Sequence, residues 1–342
     1  MRYLSLFSGI EAASCAWNTL GFEPVAFSEI DKFPCNVLKA RYPDVPNLGD
    51  ITKITKEQLN ALGKIDLIVG GSPCQGFSVA GYQKGLNDER SQLALEYLRI
   101  IADTTPEWIL WENVPGVFCT NRGMDFRKFI YQITKLGYGC AWRVFDAQYF
   151  GVPQRRRRVF LVGRLGGGAN AAAKVLFECE SMSGNIKKSD GEKENITPAT
   201  QTSIRKTSNI VFDFTHACDV VRQGNTSPSL TAHMGEGGNN VPVVFSESSF
   251  GQFKEHETAG TLKASGGNLG GGSENLYFDV MYRLRKLTPK ECLRLQGFPD
   301  DWFENVEGYS DTAAYKAIGN SMAVPVMKWI GERIKKVNEI QA

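Results

Sequence analysis

Histidine is nearly absent from this chain. Only His216, His233 and His256 occur among 342 residues, none of them paired at metal-ligand spacing and all within 179–282. That shortage argues against a zinc centre and against a cysteine–histidine protease dyad. The eight cysteines (Cys15, Cys35, Cys74, Cys119, Cys140, Cys179, Cys218, Cys292) stand singly with no CxxC pair, so reduced thiols are expected rather than a disulfide scaffold. No apolar run approaches a membrane span, and MRYLSLFSGIE carries neither a charged leader nor a small-residue cleavage site. A cytoplasmic protein with no membrane partner is expected. Two phosphate-binding patterns are also missing. There is no GxxxxGK[ST] loop, and FSGIEAA at 7–13 falls short of a dinucleotide fingerprint because Glu11 and Ser14 stand where glycines are needed. The net charge of +2 neither announces nor excludes a nucleic-acid partner, so local clusters carry that question, above all QRRRR at 154–158.

What is present has a clear order. With 42% hydrophobic and 22% charged residues the chain has the composition of an ordinary globular protein, long enough for one large domain and a smaller one. Through residue 165, short apolar runs (YLSLF, PVAFSE, DLIVGGS, WILWENV, WRVFDA, VFLVGR) alternate with amphipathic stretches. This pattern predicts an α/β fold, a doubly wound, Rossmann-like domain with a parallel sheet. Ligands of such sheets sit beyond the carboxyl ends of the strands, where strand order reverses. The residues of interest do follow each run: FSGIE after YLSL, SEID after PVAF, SPCQ after DLIVGG, ENV after WILW.

After about 166 the periodicity fades into Gly-, Ser-, Thr- and Asn-rich sequence, in which Leu230-x-Ala232-x-x-Gly235-x-x-Gly238 recurs as Leu262-x-Ala264-x-x-Gly267-x-x-Gly270. Two copies are too few for a solenoid. Regular patterns return at RKLTPKECLRLQGFP, read as a helix with Thr288 as N-cap and Gly297 as its stop, and end in the amphipathic VPVMKWIGERIKKV. The expected division is 1–178, a smaller loop-rich domain over 179–310 inserted before the C-terminal helix, and 311–342 returning to the first.

The strand ends suggest an adenosine-like ligand. Gly9 in a strand-to-helix turn permits close backbone approach, Glu29 lies 20 residues further at the offset of a ribose-binding acid, and Asp50 in GDIT is placed to accept from an adenine amino group. Taken singly, each carboxylate reads as a cap or a surface charge. Together they outline an adenosine site with no phosphate cradle, for which S-adenosylmethionine is the candidate cofactor. Cys74, within GGSPCQGFSVAG at 70–81, is a ready nucleophile in a glycine-rich turn. Glu112, ending a buried-looking strand, is a candidate proton donor, or else a carboxylate paired with a neighbouring arginine.

The ordered set FSGIE (7–11), SEID (28–31), GDIT (49–52), SPCQGFSVAG (72–81), ERSQL (89–93), ENV (112–114), QRRRR (154–158), RKLTPKECLRLQGFP (285–299) and GNSMAVPV (319–326) resembles the cytosine carbon-5 DNA methyltransferases of the bacterial and phage type. The resemblance covers nearly all of the chain outside 179–282. It implies attack by Cys74 on carbon 6 of the target cytosine, with Glu112 at ring nitrogen 3 and the amino group, and Arg156 with Arg158 orienting the base. For S-adenosylmethionine, leaving as S-adenosylhomocysteine, it implies contacts from Phe7, Ser8, Gly9, Ile10, Glu11, Glu29, Ile30, Asp50, Ile51, Pro73, Leu93, Asn320 and Met322. The family commonly has a second glycine where Glu11 stands.

A cytosine in a duplex is reached only by flipping it out, so double-stranded DNA is the implied partner and 179–310 the implied target-recognition domain. Gln75, Ser78, Arg155, Arg157 and Thr261 are the implied DNA contacts. A monomer is expected, with a cognate restriction endonuclease as a candidate partner and no metal. A tRNA cytosine methyltransferase of similar fold is the rival reading, which the long loop-rich insert disfavours.

Overall fold

In the computed structural model, the described residues are 1–72, 89–177 and 284–341, with four short strands at 213–214, 221–222, 241–242 and 274–278. The chain divides into two compact units: Met1–Phe145 with Arg157–Lys187 and Met327–Ala342, and Asp146–Arg156 with Lys188–Val326. No helix among the described residues is long and apolar enough to cross a membrane.

The first unit is built on a six-stranded sheet. Its elements in chain order are β1 (Arg2–Leu6), α1 (Ala12–Trp17), β2 (Glu23–Ser28), α2 (Lys32–Arg41), α3 (Lys56–Ala61), β3 (Leu67–Gly70), α4 (Glu89–Thr104), β4 (Trp108–Asn113), α5 (Met124–Lys135), β5 (Tyr138–Asp146), β6 (Arg157–Leu165) and α6 (Gly168–Leu176). The strand order is β2-β1-β3-β4-β6-β5. The first four strands pair in parallel, as expected for apolar runs joined through helices, and the order reverses between β1 and β3.

The expectation of a parallel sheet needs one correction, because β6 runs antiparallel to β4. A parallel connection needs a crossover of a dozen or more residues, usually a helix. Between β5 and β6 lies only a 3-10 turn, Ala147–Phe150, and a short extended stretch, so the chain returns reversed and the sheet is mixed.

The strands are covered by an apolar core in which Leu4, Leu6, Ile68, Trp111, Phe129 and Leu161 are fully buried. Trp111 packs on Phe129 with ring centroids 4.6 Å apart. Gly70 ends β3 because nothing larger fits: a Cβ there would lie 2.7 Å from the Leu6 carbonyl oxygen.

In the second unit, α7 (Pro289–Gln296) and α8 (Asp311–Asn320) are followed by the start of α9 (Val324–Gln341). Thr288 caps α7 through a reciprocal box with Glu291, and Gly297 at φ +83° ends it, both as the sequence predicts. The later part of α9 belongs to the first unit, where the Trp17 indole donates to the Met327 carbonyl at 2.7 Å.

Candidate active site

Register aligns the site. Ser28 pairs with Leu6, Leu6 with Gly70, and Gly70 with Trp111. The next residues of four neighbouring strands, Glu29, Phe7, Gly71 and Glu112, therefore share one carboxyl edge of the sheet. This edge spans the point where strand order reverses.

The turn after β1 is wound through three left-handed residues, Phe7 (φ 54°), Gly9 (φ 56°) and Glu11 (φ 64°). For Phe and Glu that conformation is unfavourable, and it persists only where surrounding bonds hold it. Ser8 supplies some of them: its amide donates to the Ser28 carbonyl at 3.1 Å and its Oγ to the Ser5 carbonyl at 3.0 Å. Glu29 supplies another, its Oε2 accepting from the Gly9 amide at 2.8 Å while Oε1 accepts from the amides of Ile30 (2.7 Å) and Asp31 (2.8 Å). The spacing of 20 residues thus does bring Gly9 and Glu29 into contact. Beside them Ile30 is 70% exposed, an apolar side chain left open at the strand edge. Phe7 and Leu93 are half-buried on the same core. An open glycine turn, a ribose-range acid and an uncovered apolar side chain fit an adenosine group without phosphates.

The side chains of several expected contacts are engaged within the protein. Glu11 is fully buried and faces inward, where Oε2 accepts from Ser5 Oγ (2.7 Å) and Oε1 from the Ser14 amide and Oγ (both 3.0 Å). It caps α1, and its side chain is shut off from any ligand. Loss of hydration pushes its carboxyl up to about 7, against those hydrogen bonds, with the Glu29 charge adding to the rise. Ile10 and Ile51 are core residues by side chain, 0% and 3% exposed. Asp50 is the cap of a 3-10 turn: Oδ1 accepts from the Thr52 amide (3.0 Å) and hydroxyl (2.8 Å), and these bonds hold its carboxyl below the usual range. The plainer reading of Asp50, a cap, is what the side chain does.

Glu112 meets an arginine. In the β4–β6 pairing Glu112 lies opposite Phe160, so Arg158 is its diagonal neighbour on the same face. Arg158 Nε stands 3.1 Å from Glu112 Oε1, the two side chains 11% and 13% exposed. Asn113, next in the strand, donates from Nδ2 to the Ser72 carbonyl at 2.9 Å, and the Trp111 indole donates to Ser72 Oγ at 2.9 Å. Ser72 is two residues before Cys74, so these bonds hold the root of the segment that carries that cysteine. Sequence reasoning gave Asn113 no such role, although its place in ENV marked it. Pro73, Cys74, Gln75, Ser78 and Thr261 lie outside the described residues.

QRRRR alternates. Gln154 (0% exposed) and Arg156 (3%) are buried while Arg157, the first residue of β6, is exposed and Arg155 partly so, the period-two pattern of an extended chain. Within the second unit, Arg156 Nη2 donates to the carbonyls of Gly319 (3.2 Å) and Ser321 (2.6 Å). Through Nη2 the Arg156 guanidinium is thus tied to backbone. Of the pair Arg156 and Arg158, it is Arg158 that reaches Glu112. Asn320 is exposed and Met322 half-buried on the same turn.

A family model described as C-5 cytosine-specific DNA methylase matches residues 1–336. The chain belongs to the C-5 cytosine-specific DNA methylase family. Among relatives of this methylase, the type II methyltransferase M1.ScrFI of Lactococcus lactis subsp. cremoris is 32% identical, over 99% of this chain and 79% of that one. The type II methyltransferase M.DsaV of Dactylococcopsis salina is 29% identical over 98% and 86%. A protein of Escherichia phage P1, named DNA N-6-adenine-methyltransferase, is 31% identical across 98% of the methylase, which spans 61% of that longer protein. Among solved structures, the S. pombe Dnmt2 methyltransferase superposes with a TM-score of 0.63 at 19% identity, covering 99% of each chain, a likeness of fold.

Proposed function

We propose that this methylase transfers a methyl group from S-adenosylmethionine to carbon 5 of a cytosine flipped out of a specific double-stranded DNA sequence. The observation that carries the reading is the Glu112–Arg158 pair on the same strand edge as the Glu29–Gly9 contact. The acid assigned to the base and the acid assigned to the adenosine share one carboxyl edge of one sheet.

When bound, the cofactor supplies the electrophilic methyl group. Glu29 and the Gly9 turn would hold its ribose, Ile30 and Phe7 its adenine, with Pro73, Leu93, Asn320 and Met322 as further contacts. The Cys74 thiolate adds to carbon 6 of the cytosine, which turns carbon 5 into the nucleophile. Glu112, held by Arg158, hydrogen-bonds ring nitrogen 3 and the amino group and stabilises the charge that moves onto the ring. After methylation the carbon-5 proton leaves and the thiolate is eliminated. Arg155 and Arg157, on the outward face of QRRRR, suit phosphate contacts, and Gln75, Ser78 and Thr261 are assigned to DNA with 179–310 as the recognition domain.

The test is transfer of labelled methyl to duplex DNA and to tRNA, followed by digestion and identification of the labelled base. The reading expects 5-methylcytosine from duplex DNA and a covalent adduct with 5-fluorocytosine DNA that Cys74→Ser abolishes. N6-methyladenine, or label in tRNA alone, would overturn it.

A further inference from the structure

We propose that Gln296 is a positioning residue for the turn that carries Asn320 and Met322, and through that turn for methyl-donor binding. The inference rests on the reading of those two residues as donor contacts.

Helix α8 ends at Asn320, where the Ile318 carbonyl accepts from the Ser321 amide at 3.1 Å and the carbonyls that follow lie beyond the reach of the helix's own amides. Two buried side chains supply what is missing. Gln296 Nε2 donates to the Ile318 carbonyl (3.0 Å) and the Ser321 carbonyl (3.3 Å), and Arg156 Nη2 donates to those of Gly319 and Ser321. Three carbonyls around Asn320 are thus held by one amide and one guanidinium that share the Ser321 oxygen. Asn320, the residue with an exposed side chain, is left facing outward between them.

Gln296 is itself fully buried, and its Oε1 has no hydrogen-bond partner among the described residues. An unsatisfied buried acceptor costs roughly 1–3 kcal/mol, a cost that the two bonds from Nε2 must offset. Turning the amide over would set its oxygen against two carbonyl oxygens, so the orientation follows from the chemistry. The amide is kept for its donors and for where they hold the backbone. Its surroundings are fixed from the other side too: a Cβ at Gly297 would lie 2.6 Å from Pro325 Cδ, so the end of α7 and the start of α9 meet directly.

The experiment measures S-adenosylhomocysteine affinity, KM for the methyl donor, kcat and duplex-DNA affinity for the full chain carrying Gln296→Leu, Gln296→Asn or Asn320→Ala. Loss of both donor bonds in Gln296→Leu is expected to weaken S-adenosylhomocysteine and raise the donor KM about tenfold, with kcat and DNA affinity within about twofold of the parent. Gln296→Asn keeps the amide but shortens its reach, and is expected to fall between, which preserves the test should the leucine variant fail to fold. Parental donor affinity in both Gln296 variants while Asn320→Ala weakens it would overturn the proposal and leave the donor reading standing. Parental affinity in Asn320→Ala would instead overturn the reading on which it rests. Equal losses in donor and DNA affinity with a lowered melting temperature would make Gln296 a structural residue and end the proposal.

Discussion

Two corners of one strand edge treat their carboxylates differently. At the β1–β2 corner Glu11 and Glu29 meet hydroxyls and backbone amides; at the β4–β6 corner Glu112 meets a guanidinium. The neutral donors around Glu29 suit a polyol ligand, because they can be exchanged for ligand hydroxyls without stranding a charge, while those around Glu11 are buried and serve the turn. A charge pair with both members mostly buried suits a base whose ring becomes charged during reaction, since the field that stabilises that charge is already oriented. In the proposed function the same residue type serves binding at one corner and chemistry at the other, and the neighbours decide which.

The sharpest way to break the comparison is at Glu112. Glu112→Gln keeps the shape and removes both the charge and the proton, and is expected to lower methyl transfer by about 10²–10⁴-fold. DNA affinity should change little, as measured by equilibrium binding. Arg158→Ala should lower transfer as well, and the double variant should lose far less than the two losses combined, because the residues act as a unit. Additive losses would mean that the pair is a strand-pairing contact and that the chemistry lies elsewhere.

Glu11 offers the next largest effect, and it appears in stability rather than rate. Its carboxyl, ordinarily near 4.5, is raised to about 7 by burial. The native state therefore binds the proton more tightly than the unfolded chain. Stability should be greatest at acid pH, fall as pH rises from about 4.5 to about 7, and level off above that, a loss on the order of 3 kcal/mol. Glu11→Gln, which resembles the protonated acid, should remove that slope in chemical denaturation measured across this range. A slope unchanged in the variant would place the titration on another group.

At Glu29 the expected change is in binding. Glu29→Gln would set an amide N–H₂ against the amide of Gly9 or of Ile30 and Asp31. With one acceptor turned into a donor the loss is about 1–3 kcal/mol, or roughly ten- to a hundredfold in donor affinity. Calorimetric titration with S-adenosylhomocysteine checks it. Unchanged affinity would mean that these bonds serve only the turn.

Much of this edge was legible in the sequence, and the reasons for the rest are physical. Strand ends could be read because the apolar runs are short and each is followed by glycine or acid, so FSGIE, SEID and ENV fell where the sheet puts them. The cap at Thr288 and the stop at Gly297 were legible because capping is local chemistry. The direction of β6 was not, since VFLVGR is equally apolar in either sense and only the lack of a crossover helix reverses it. An arginine beside Glu112 was one of its two readings, but which arginine was not legible, since that depends on a register between β4 and β6, strands far apart in the chain. The inward turn of Arg156 was written in QRRRR as alternation, but four arginines in a row conceal a period of two. The inward direction of the Glu11 side chain was not legible, because a carboxylate in a binding motif looks available and its bonds to Ser5 and Ser14 are what reveal that it points inward.

The smallest expected effect sharpens the boundary of the β1–β2 corner. Asp50 stands in the motif where an adenine contact is expected, yet its Oδ1 is taken by the Thr52 amide and hydroxyl, and Lys53 Nζ lies 3.5 Å from Oδ2. As a cap, Asp50→Ala should cost about 1 kcal/mol of stability in denaturant unfolding. Asp50→Asn should cost less, because an asparagine oxygen still accepts from the Thr52 amide. Donor affinity should stay within about twofold in both variants, a difference under 0.5 kcal/mol. A tenfold weakening in Asp50→Asn with unchanged stability would instead make this carboxylate a reader of the ligand. The neutral-donor corner would then extend to a third acid, one that exchanges Thr52 for the incoming adenine.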